Sequence, residues 1–131
     1  MKEEEMVHYV KKAKEDASYI DAVLDKLSIG SYLFMGFNGT DRPYCYTKHL
    51  PLGPTFVQDA DNFKEKDNFF VRNFLEDLHE TKIIVFSSYQ IPIIEEEVKE
   101  YIASNFETNN PEPINDINKP VTFFYTLYFR K

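Results

Sequence analysis

The sequence predicts an α+β domain in two layers, with elements in the order α-β-β-α-β-α-β and a mixed or antiparallel sheet covered by helices mainly on one face. Three observations carry this. Apolar residues from Met6 to Leu27 recur at alternating spacings of four and three, which marks one stripe of a helix. Val121 to Arg130 alternates between two sets of side chains, the pattern of a strand. Between them stand two short runs rich in aromatic and β-branched residues, Ser31–Phe37 and Lys82–Ser88. A chain of 131 residues and 15.5 kDa with 43% hydrophobic residues can bury a real core but is too short for two independent ones, so residues 1–131 read as a single compact domain.

In chain order, the first helix spans Glu3 to Leu27. Its stripe is Met6, Val10, Ala13, Ala17, Ile20, Leu24 and Leu27, and the two alanines let a neighbouring element approach the axis. Acidic residues at its start suit the positive end of the helix dipole, and Gly30 supplies a stop. Ser31–Phe37 is apolar on both alternating faces, as in a strand covered from both sides. Asn38-Gly39 fits a type I′ turn, which makes Thr40–Thr47 the returning strand of a hairpin beside the C-terminal strand. Pro43, lacking an amide proton, places that strand at an edge or makes it start after Pro43.

Residues 49–55 form a loop through Pro51, Gly53 and Pro54. A second helix is expected over Asp67–Glu80 and a strand over Lys82–Ser88. A third helix carries Ile94, Val98, Ile102 and Phe106 at intervals of four behind three leading glutamates. Residues 107–119 read as an extended acidic loop. In the last strand Val121, Phe123, Tyr125, Leu127 and Phe129 face the core. So long an aromatic strand belongs inside the sheet or at a dimer seam, with Lys119, Arg130 and Lys131 flanking it as gatekeepers.

With 15 Lys+Arg against 22 Asp+Glu, the formal net charge is −7, which argues against generic binding to nucleic acid or an anionic membrane. The single cysteine, Cys45, forms no internal disulfide, and the acidic start does not resemble a secretory signal, so a cytoplasmic location is expected. No apolar run approaches the ~20 residues of a membrane-spanning helix.

No stretch matches a phosphate-binding glycine loop, a dinucleotide fingerprint or a zinc motif, so no cofactor, metal or catalytic residue is assigned. If Cys45 and His49 shared one extended strand they would stand about 13 Å apart, too far for a thiol–imidazole pair. Tyr32, Tyr44, Tyr46, Tyr125 and Tyr128 suit either an exposed aromatic platform or a core. Two function classes follow. The first is a non-enzymatic protein-binding module, monomeric or homodimeric, that meets a basic partner through Asp59, Asp61, Glu65, Glu95, Glu96, Glu97 and Glu100. In its sharpest form it is an inhibitor from a phage or other mobile element that docks on the nucleic-acid-binding surface of a host or defence protein. The composition, rich in Asn, Lys, Ile, Phe and Tyr, matches that origin by association alone. The second class is a small-anion or nucleotide-binding domain or enzyme at the 42–53 hairpin exit, with Arg42, Lys48, His49 and Gly53 around the ligand.

Overall fold

The computed structural model describes residues 3–37, 42–52, 57–58, 69–87, 96–109 and 114–131, and side chains throughout these except at 3–7, 36–37, 57–58, 69–74 and 87. Helix α1 (Glu3–Leu27) leads into β1 (Ser31–Phe37), a 3-10 turn (Pro43–Cys45), β2 (Leu50–Pro51) and β3 (Val57–Gln58). Then follow α2 (Phe69–Glu80), β4 (Ile83–Ser87), α3 (Glu96–Asn105), β5 (Phe106–Glu107) and β6 (Tyr125–Arg130). The strands make one mixed sheet in the order β2-β1-β4-β6-β5, and β3 pairs with the far end of β1. The protein is an α+β fold.

β1 and β4 run parallel, with Leu33, Phe34 and Met35 opposite Ile84, Val85 and Phe86. Parallel neighbours need a crossover, and α2 lies within the segment that makes it. β6 returns antiparallel to β4 over its whole length, pairing Val85 with Leu127, and β5 adds Phe106 opposite Arg130. Thus β6 is interior to the sheet. The strand begins at Tyr125 rather than Val121, because residues 121–122 turn and the Phe123 amide donates to the Pro120 carbonyl at 3.1 Å.

Period-two alternation splits β1 and β4 between two cores. Tyr32, Phe34, Ile83 and Val85 meet Tyr19, Ile20, Val23 and Leu24 of α1, joined by Tyr125, Leu127 and Phe129 of β6. Leu33, Met35, Ile84 and Phe86 meet Leu78 of α2, Val98 and Ile102 of α3, and Phe106. Two of the three helices share one face, and α1 adds a layer on the other. That is why Ser31–Phe37 is apolar on both sides.

The described part of the expected returning strand, residues 42–47, is not a strand. Asn38 and Gly39 lie outside the described residues, but the expected returning strand is replaced by the 3-10 turn, in which Cys45 and Tyr46 donate to the carbonyls of Arg42 and Pro43 at 3.1 and 2.9 Å. Pro43, with its fixed φ and no N–H, suits the start of such a turn. The partner on that edge of β1 is β2, and it runs parallel, Ser31 opposite Leu50 and Tyr32 opposite Pro51. β1 is also separated from the C-terminal strand by β4.

α1 ends as a Schellman motif: Ile29 donates to the Leu24 carbonyl at 2.9 Å and Ser28 to that of Asp25 at 3.2 Å. The left-handed residue is Ser28, with φ of 56°, two positions before the glycine expected to stop the helix. The buried face of α1 also departs from the seven-residue stripe. Val10 is exposed while Asp16, Tyr19 and Val23 are buried, since a straight helix drifts by about 20° per heptad.

Candidate functional site

The sequence points to two places, the segment after β1 and the acidic helices. In the first, Thr47 to His49 is fastened to α1 by two aspartates one helical turn apart. The Asp21 carboxylate accepts the backbone amides of Lys48 and His49 at 2.8 and 3.2 Å. Asp25 accepts the Lys48 ammonium at 2.6 Å and His49 Nε2 at 2.8 Å. His49 Nδ1 lies 3.2 Å from the Gly30 carbonyl, so both ring nitrogens face acceptors. Thr47 donates to the His49 carbonyl at 2.8 Å, leaving its oxygen to accept the Tyr32 hydroxyl at 2.7 Å. Burial pushes the Tyr32 phenol well above its ordinary range.

The electrostatics agree with this geometry. The Lys48 and His49 hydrogen bonds hold the Asp25 carboxyl below its usual range, and Asp25 in turn raises the Lys48 ammonium. Donors assigned from sequence to an external anion therefore face the protein's own carboxylates. Arg42 is exposed beside the 3-10 turn, and Gly53 lies outside the described residues. Asp21 and Asp25 were not singled out from the sequence. Their signal was positional: two acids in the last turns of a helix oppose its dipole and call for a compensating partner.

With His49 engaged by Asp25 and Gly30, its ring is not paired with the exposed thiol of Cys45. Among the described residues no group of three or more His, Cys, Asp or Glu side chains is placed to hold a metal ion. The tyrosine platform divides: Tyr32 and Tyr125 are buried, Tyr44 packs on Phe34 and Tyr128 on Phe86, while Tyr46 is exposed beneath Lys14. Among the described residues no helix is long and apolar enough to cross a membrane.

The second place is the outer surface of α2 and α3. Glu96, Glu97 and Glu100 are exposed on α3, and Lys99 stands 3.7 Å from Glu96. On α2, Glu76 and Glu80 are exposed and Asp77 is half-buried. Burial, then the charges of Glu80 and Glu76, raise the Asp77 carboxyl above its ordinary value. The two helices cover the same sheet face and touch where the His79 ring meets Tyr101 edge-on, centroids 4.5 Å apart. Asp59, Asp61, Glu65 and Glu95 lie outside the described residues. α1, on the opposite face, instead exposes Lys11, Lys14 and Lys26 with Glu15 and Asp25. Compared with known proteins, the chain matches no family model, no curated protein and no solved structure.

Proposed function

We propose that this chain is a non-enzymatic protein-binding module that presents its α2–α3 face to a partner with a basic surface. The observation that carries the reading is the gathering of Glu76, Asp77, Glu80, Glu96, Glu97 and Glu100 on one layer, where Asp77 already feels its neighbours' charge. Beside burial, the charges of Glu80 and Glu76 disfavour the ionised Asp77 carboxyl, and a cationic partner would offset that repulsion. Such a face also speeds encounter with a positive surface, at a rate that falls as salt rises. A basic surface that otherwise holds nucleic acid has the matching charge, and occupying it would block that ligand. The finer form of the proposal is therefore an inhibitor, of phage or mobile-element origin, acting in the cytoplasm on a host or defence protein.

The test is affinity capture from host lysate with wild-type protein and with the Glu96→Lys, Glu97→Lys, Glu100→Lys triple variant. The reading expects a partner with a basic surface whose binding weakens at least tenfold in the variant and again when salt rises from about 50 to about 300 mM, where the Debye length roughly halves. Equal capture by both proteins, or capture indifferent to salt, would overturn it.

A further inference from the structure

A groove runs along the side of α1 remote from the acidic layer. One half, about 420 Å³, lies between His8, Lys11 and Glu15 of α1 and Thr122 and Phe124 opposite. The other, about 500 Å³, shares Glu15 and continues past Tyr19 and Ala22, walled by Ile117 and Pro120 with Lys119 at its rim. From His8 to Ala22 the helix advances about 20 Å, the length of roughly six residues of extended chain.

The floor is apolar and aromatic. Tyr19 is braced edge-on by Phe123, centroids 4.8 Å apart, so that wall is rigid. Phe124, in the lining, is 53% exposed, a large apolar side chain left open to solvent. The charge is equally distinctive: Lys12 is bonded to buried Asp16 at 2.7 Å, which leaves Lys11 and Lys119 against Glu15 along the lining. In a chain of net charge −7, this groove is mildly cationic.

We propose that the groove between α1 and residues 117–124 is a docking site for an extended peptide segment of a partner protein that carries aromatic or aliphatic anchors flanked by carboxylates. Phe124, Tyr19 and Ile117 receive the anchors, and Lys11 and Lys119 pair with the flanking acids. Nucleic acid fits less well, because a phosphodiester backbone needs a row of cations and the rim holds two. The site is independent of the α2–α3 face, and with both filled the protein is an adaptor between two partners of opposite charge.

The experiment pans a displayed library of random peptides, about 12 residues long, against the intact protein and titrates the selected peptides by fluorescence anisotropy. The expected result is a set with Asp or Glu beside aromatic residues or leucine. Affinity should fall about tenfold or more in Phe124→Ser and in the Lys11→Glu, Lys119→Glu double variant, all at exposed positions, with circular dichroism unchanged. It should be unaffected by the triple α3 variant, which separates this site from the acidic face. No enrichment, enrichment of basic peptides, affinity untouched by the groove variants or lost in the α3 variant, or tighter binding of a single-stranded oligonucleotide of similar length would each overturn the proposal.

Discussion

Ser28 holds the one positive φ of a non-glycine residue among the described residues, and it does so to close the Schellman motif at the end of α1. An L-residue in the left-handed region costs on the order of 1–2 kcal/mol relative to glycine, part of which glycine returns through its freer unfolded chain. Ser28→Gly is therefore expected to stabilise the protein by about 0.5–1 kcal/mol, read as a higher midpoint in urea with unchanged slope. Single residues were the least legible scale. Gly30 looked like the stop because glycine ordinarily takes that role, yet a Cβ there would meet no heavy atom within 4 Å. Buried Asp16 escaped notice because its partner, Lys12, is itself drawn inward to lie 5.3 Å from the Phe124 ring, a tertiary contact that spacing along the helix does not encode. Arg130 was read as a surface gatekeeper. Its guanidinium instead donates to the carbonyls of Leu78 and Thr81 and to the Tyr101 hydroxyl, and stacks 4.6 Å above Phe106.

Elements were far more legible, since periodicity is a local property and survives folding. The bounds of α1 are those read from its stripe, α2 and β4 fall within the expected ranges, and α3 stops at Asn105, so that Phe106, read as helical, lies in β5. The exceptions are the short strands β2 and β5, which fall in stretches read as loop or helix, and residues 42–47, where a returning strand was expected because Asn38-Gly39 fits a hairpin turn. Pro43 and the carboxylates of Asp21 and Asp25 won there. They anchor this stretch to α1, and the chain reaches β1 only at Leu50, running parallel. This clasp titrates. Asp25 has a folded-state pKa below its unfolded value, so its contribution is complete above about pH 4, the ordinary carboxylate value, and is lost as pH falls through the folded value. Comparing Asp25→Asn with wild type, the difference in melting temperature is expected to shrink as pH falls below about 4. Amide exchange at Lys48 and His49 should quicken in the variant. A difference that grew as pH fell would reverse the sign of the argument.

For the whole molecule, the helical and strand periodicities sufficed for the α+β class, and the uncharged aromatic length of the last strand narrowed its place to the sheet interior or a dimer seam. The crossover between β1 and β4 was not legible, because a short apolar strand carries no mark of which neighbour it takes or in which direction. The division of the sheet into two cores depends on that crossover, and Arg130 fastens the pieces together by tying α2, α3 and β5 to β6. Arg130→Met is expected to cost about 3 kcal/mol by leaving the carbonyls of Leu78 and Thr81 without their charged donor. Because those elements share one core, the loss should appear as a shift of a single unfolding transition rather than as a second one. The place of β6 bears finally on how the protein is made. Both of its neighbours, β4 and β5, precede it in the chain, and its side chains complete the α1 core. Until Tyr125–Arg130 leaves the ribosome, the edge of β4 stays open and α1 lacks part of the surface it packs on. During translation the nascent chain therefore presents an unpaired β4 edge that a chaperone, or another copy, can reach first.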